Sequence, residues 1–149
     1  MNIMKIFEEV YETRARLTKE FNDLSMGSTT TKRILSYDDQ MECALERVDE
    51  ICAGTSHDIE TVRDMYNLYT VMRDCDNERI DFECMDRSLA ESFITFMREN
   101  GILEFTCSAE NSATEIAMWF KNAGCRLVDV VSIHGKVRYN MPAFLFEVN

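Results

Sequence analysis

The chain predicts an α+β fold, with about four N-terminal helices packed on a small C-terminal β-α-β-β sheet unit. Three observations carry that expectation. Apolar residues recur at helical spacing through most of residues 1–100, the period shortens to strand-like alternation after Gly101, and the charge changes at the same place. Residues 1–100 hold 22 acidic and 12 basic side chains, a net −10, whereas residues 101–149 hold 5 and 4, a net −1. A length of 149 residues suits a single domain, 1–149, with one sizeable core and the two subregions 1–100 and 101–149.

The first segment places Ile3, Ile6, Phe7, Val10, Leu17, Phe21 and Leu24 on one helical face, with Glu8, Glu9, Glu12, Arg14, Arg16, Lys19 and Glu20 between them. Met26 to Thr31 is a polar break. Ser36-Tyr37-Asp38-Asp39 opens a second helix, because a hydroxyl can accept a free backbone N–H and carboxylates favour the positive first turn. Met41, Ala44, Val48, Ile51 and Cys52 extend its stripe, and Gly54 follows the last turn. Thr55 to Asp58 restarts the pattern, with Ile59, Val62, Met65, Tyr66, Tyr69 and Met72 as the third buried face. Asp74 to Asp86 is acidic and has no clear period. Ser88-Leu89-Ala90-Glu91 has the form of a capping box and opens a helix carrying Leu89, Phe93, Phe96 and Met97, stopped at Asn100-Gly101.

Ile102 to Cys107 alternates like a strand. Ser112-Ala113-Thr114-Glu115 is a second capping box, and its helix uses Ile116, Trp119 and Phe120 before ending at Gly124. Arg126 to Ile133 is rich in β-branched residues, and His134-Gly135 suits a two-residue hairpin turn. Val137 to Met141 and Ala143 to Val148 keep strand register. Pro142 lacks a backbone donor, so it points to a bulge or an edge strand.

Composition narrows the function. No run approaches 18 apolar residues, so no membrane span is expected. The N-terminus mixes acids into its apolar positions, unlike a secretory signal. Six scattered cysteines suit reduced, mostly buried thiols and a cytoplasmic setting. With 16 basic against 27 acidic residues and no basic face, direct nucleic-acid binding is not expected. Each glycine is accounted for by a loop, a helix end or a hairpin, which leaves none for a phosphate-cradling loop.

No metal or other cofactor is expected. Cys43/Cys52 and Cys75/Cys84 are each nine residues apart, which on a helix points the two thiols to nearly opposite faces rather than into a zinc knuckle. The two windows share the pattern Cys-x-x-Glu-Arg-(Val/Ile)-Asp-x-x-Cys, which coincidence explains more readily than a helical repeat, since the flanking residues barely match. Calcium would need a glycine turn among the acids, and neither acidic block has one.

The segment Ile102–Val148 resembles the C-terminal half of a GNAT-type acetyltransferase. The match is carried by Asn111, Ala113 or Ala117, Trp119 or Phe120, and Gly124, in a strand, helix and hairpin order. The resemblance covers about a third of the chain. Residues 1–100 carry neither that family's strands nor its Gly-rich acetyl-CoA loop. It implies an alternative function in small-molecule or acyl transfer, for which Cys107, Glu110, His134 and Tyr139 would have to converge in a pocket.

The favoured expectation is non-enzymatic: a small acidic cytoplasmic module that binds a protein with a basic surface and modulates or inhibits it. Asp38, Asp39, Glu42, Glu46, Asp49 and Glu50 form one acidic block, and Asp74, Asp76, Glu78, Asp81, Glu83 and Asp86 form another. Each encloses one arginine and so carries −5. Carboxylates spaced along a rigid element can imitate phosphates in a nucleic-acid-binding groove, in the style of a phage accessory protein. Partner-binding residues are therefore expected at Asp38, Asp39, Glu42 and Glu46, and at Asp74, Asp76, Glu78, Asp81, Glu83 and Asp86. A third reading is self-association through the Pro142 strand or the first helix.

Overall fold

The computed structural model describes residues 2–25, 37–53, 55–83, 87–108, 113–135 and 140–149. Its elements are α1 (Ile3–Ser25), α2 (Tyr37–Cys52), α3 (Ile59–Asp74), β1 (Asp81–Phe82), a 3-10 turn (Arg87–Leu89), α4 (Ala90–Glu99), β2 (Glu104–Cys107), α5 (Ala113–Asn122), β3 (Arg126–Ile133) and β4 (Met141–Glu147). The fold is α+β. The chain forms two compact units, Met1–Arg63 and Asp64–Asn149, with the boundary inside α3. The charge step at residue 100 is thus not the structural boundary. The first unit holds 13 acids and 8 bases, net −5, and the second 14 and 8, net −6.

In the first unit, Asn2 caps α1 by accepting the Lys5 amide N–H at 3.3 Å. Ile3, Phe7, Val10 and Arg14 follow at helical spacing and are all buried. α1 packs on α2. Between them the Thr18 hydroxyl donates to Gln40 Oε1 at 2.7 Å, and the Arg14 guanidinium reaches Met41 Sδ at 3.1 Å. The Arg14 charge also lies over the Tyr11 ring, 5.3 Å from its centroid. Arg63 Nε donates to both Asp49 oxygens, at 3.1 and 3.0 Å, which ties the second turn of α3 to α2.

The second unit is built on a mixed four-stranded sheet of order β1-β2-β4-β3. β1 runs parallel to β2, and β4 lies antiparallel between β2 and β3. The sheet therefore begins earlier than the β-α-β-β pattern suggested, with two residues inside the acidic segment. Register puts Phe82, Phe105, Cys107, Phe144 and Phe146 on one face and Asp81, Thr106 and Leu145 on the other. Phe93 of α4 and Phe120 of α5 close the aromatic face. Ring centroids lie 5.4 Å apart for Phe82–Phe93, 5.0 Å for Phe82–Phe120 and 4.5 Å for Phe105–Phe120. Phe105 also stacks on Phe146 at 5.4 Å.

Three helices of this unit end in the same way. Asn77, Ile102 and Cys125 amides donate five residues back, to Met72, Met97 and Phe120 carbonyls, at 2.9, 2.9 and 3.0 Å. Each closure needs one left-handed residue: Gly101 (φ 72°), Gly124 (φ 101°) and, without a glycine, Asp76 (φ 57°). Aspartate tolerates this region better than most L-residues, and that is why the first closure has no glycine signal.

Three local expectations change. The N-cap of α4 is Leu89 rather than Ser88: it makes no side-chain cap bond and has helical angles (φ −90°, ψ −12°) because the 3-10 turn already supplies the first turn. The second box starts at Ser112, which lies outside the described residues. His134-Gly135 is not a two-residue turn, since Ile133 pairs with Met141 and residues 134–140 join the strands. Pro142 is not on an edge strand. β4 is internal, but β2 reaches only Phe144–Glu147, so at Pro142 the strand has a neighbour on one side alone. The two cysteine windows also differ in structure, the first lying in α2 and the second crossing a turn and β1, with Cys84 outside the described residues.

The aromatic cluster should carry the second unit. Phe105 touches Phe82, Phe120 and Phe146 and is fully buried. Phe105→Ala is expected to cost about 3–5 kcal/mol in urea denaturation of the full chain. A loss under about 1 kcal/mol would mean the cluster is not the core.

Candidate functional site

The first acidic block is a stripe on α2. Asp39, Glu42, Glu46 and Glu50 are all exposed, and spacings of three, four and four residues keep them on one helical face. They span roughly 16 Å at the helical rise. Asp49 turns instead to Arg63. The Asp38 side chain lies outside the described residues.

The second block is not a rod. Asp74 ends α3, Asp76 and Glu78 lie on the following turn, and Glu83 follows β1; these four are exposed. Asp86 lies outside the described residues. Asp81 leaves the acidic surface altogether, at 6% exposure. Strand alternation carries it to the face opposite Phe82. There Thr106 Oγ1 donates to one carboxylate oxygen at 2.6 Å and the Ser108 hydroxyl donates to the other. Burial pushes the Asp81 carboxyl above its ordinary range, with Glu83 adding to the rise, while the two hydroxyls oppose it. Sequence reasoning missed this cluster. The only signal was Ile80-Asp81-Phe82, an alternation too short to separate from its acidic surroundings.

A polar cleft of about 220 Å³ lies in the same unit, lined by residues 76–79, Thr106 and residues 132–134. Its walls are clasped together. The Asn77 side chain donates to the His134 carbonyl at 2.8 Å and accepts the His134 amide at 2.9 Å, as a neighbouring strand would. His134 Nδ1 lies 3.3 Å from the Cys75 carbonyl, which can only accept, so Nδ1 is the donor in that contact. Arg79 Nε pairs with Glu104 at 2.9 Å.

The residues named for an enzyme are not assembled among the described residues. Cys107 is buried on the phenylalanine face, whereas Thr106, its neighbour on the opposite face, shares the cleft with His134. Burial pushes the Cys125 thiol up, against a smaller opposing effect of Arg98, which makes a poor nucleophile. Glu110 and Tyr139 lie outside the described residues. His57 is half-buried near the start of α3. Among the described residues, no group of three or more His, Cys, Asp or Glu side chains could hold a metal ion, and no helix is long and apolar enough to cross a membrane. Within the segment that resembles an acetyltransferase, the order strand, helix, strand and antiparallel partner is realised by β2, α5, β3 and β4. Ala117 and Phe120 are buried in α5, and Asn111 lies outside the described residues.

The second unit is thus a small α+β domain with a clasped polar cleft and one buried carboxylate. The chain belongs to the family described as a domain of unknown function, DUF7698, whose profile matches residues 64–146. That span falls within the second compact unit. No curated protein and no solved structure matches the chain.

Asp81 generates a pH prediction. Its folded-state affinity for a proton is raised, so the stability it contributes is fully present below the unfolded value near 3.8 and is lost as pH rises through the folded value. Asp81→Asn removes that loss, and an amide can still meet both hydroxyls. The variant's stability relative to wild type should therefore increase from about pH 4 to about pH 7 in urea denaturation. Asp81→Ala, which strands two hydroxyls, should lose about 1–3 kcal/mol. A relative stability of Asp81→Asn that falls with pH would contradict the assignment.

Proposed function

We propose that this chain is a protein-binding module that docks on a basic surface of another protein and modulates it. The observation that supports this reading is the α2 stripe, four exposed carboxylates on one face of one helix. They repeat about every 5.4 Å along a rigid axis, of the same order as the 3.4 Å rise between phosphates on one DNA strand. A groove that holds nucleic acid is the favoured target, and occupying it would inhibit the partner. The exposed carboxylates Asp74, Asp76, Glu78 and Glu83 add to the negative field that steers a basic partner. A reducing, cytoplasmic setting suits a chain whose five described cysteines are free thiols. Asp81 is no longer among the docking residues, because burial denies it to a partner.

The test compares the wild-type chain with Asp39→Asn/Glu42→Gln/Glu46→Gln/Glu50→Gln, both immobilised and exposed to cell lysate. A partner should be held by wild type at low salt, released at about 1 M salt, where charges screen within ~3 Å, and held at least about tenfold more weakly by the variant. Duplex DNA added to the purified pair should compete with the chain. A partner held equally by the amide variant would overturn docking through α2.

A further inference from the structure

We propose that the β3 edge is a self-association site, where a second copy of this chain lays its own β3 antiparallel about a two-fold axis between Leu127 and Val128. The site lies in the second unit, and the inference does not rest on the docking reading.

The edge combines open backbone with exposed apolar side chains. Among the described residues β3 ends the sheet order, with β4 on one side alone. Leu127, Val128 and Val130 are large apolar residues exposed within one short stretch of it, and Val130 is 58% exposed. An edge of this kind is a template for another strand.

The charges name the occupant. Arg126 and Asp129 bracket the apolar pair Leu127-Val128. Residues three apart on a regular strand point to opposite faces, but the register shift between Leu127 and Asp129 changes that here. Arg126 stands opposite Glu147 and Asp129 opposite Leu145, two positions apart on β4, so both charges share the face away from the phenylalanines. A two-fold between Leu127 and Val128 then sets Arg126 of each copy against Asp129 of the other, on one face. A parallel copy in register would oppose arginine to arginine and aspartate to aspartate. A two-fold at Asp129 would oppose the two aspartates.

Both charged groups are able to change partners. Arg126 Nε and Nη2 serve one Glu147 oxygen, at 3.1 and 2.7 Å, which leaves Nη1 for a second carboxylate, and the side chain is 66% exposed. The Asp129 carboxylate accepts the Val130 amide at 2.7 Å, which closes the edge to a strand that brings no cation. A second copy brings Arg126, which draws the carboxylate away and frees the amide. β3 also lies in the segment 101–149, which carries only −1 of the chain's −11, so two acidic copies repel least through it.

The experiment is sedimentation equilibrium of the full chain from about 10 μM to about 1 mM, a range that brackets a small, transient contact. Wild type should form a dimer and nothing larger, because a two-fold contact closes. Arg126→Asp and Asp129→Arg each oppose like charges and should weaken the dimer at least about tenfold. Asp129→Arg also frees the Val130 amide, so mere exposure of the edge would strengthen association in that variant. Arg126→Asp/Asp129→Arg should restore the dimer. An equal mixture of the two single variants should form a heterodimer, since the acids of one then face the bases of the other. If a variant loses its fold by circular dichroism, dilution of isotope-labelled wild type replaces it: amide shifts of residues 127–130 should follow concentration, and that of Phe105 should not. A wild type that stays monomeric leaves the edge to a different protein and overturns the proposal. So do assembly beyond the dimer, dilution shifts that map to α1 or to residues 141–143, and single variants that associate as well as wild type.

Discussion

The second unit depends on one registration: Phe82, Phe105 and Phe146 fall on the same face of three neighbouring strands, under Phe93 and Phe120. Each ring removed from water is worth about 2–3 kcal/mol, and edge or stacked contacts add to that. Slipping β1 by one residue would exchange Phe82 for Asp81 and set a carboxylate among the rings. The same register that buries Phe82 therefore sends Asp81 to the opposite face. Burial of Asp81 is a consequence of aromatic packing, and the Thr106 and Ser108 hydroxyls offset its cost.

A second consequence concerns the sheet edges. Placing β4 between β2 and β3 leaves the long β3 as an edge of the sheet among the described residues, and that strand exposes Leu127, Val128 and Val130. Such an edge invites pairing with another chain. Two features work against it. The register shifts between Leu127 and Asp129, and the Asp129 carboxylate accepts the Val130 amide at 2.7 Å. The bulge twists the edge, and the side chain takes one of its donors.

Long periodic elements were legible in the sequence, and local closures that depend on distant partners were not. α1, α2 and α3 fall where apolar stripes recur over about three or more turns. Gly101 and Gly124 marked two helix ends because only a residue without Cβ takes positive φ at little cost. Asp76 performs the same task and looks like one more surface acid. β1 has two residues, too few for any period, and exists because β2 offers it a parallel neighbour. His134-Gly135 has the composition of a tight turn, yet Asn77 captures the His134 main chain and the connection lengthens. Of the candidate site, the α2 stripe was legible because helical spacing alone places it. The cleft and the buried Asp81 were not, because they join residues more than twenty positions apart.

The boundary at Arg63/Asp64 separates two kinds of evidence. The family match spans residues 64–146, so whatever its members share resides in the sheet, α4, α5 and most of α3. The α2 stripe lies outside that span. The clasped cleft and Asp81 lie inside the matched span. The distinction has a physical side. The stripe needs only a stable helix, and any helix of suitable spacing could supply it. The cleft needs Asn77, His134, Cys75 and Asp76 to meet across the whole unit, which requires the complete sheet. The stripe is thus set by local helical spacing, and the cleft by the register of the whole sheet.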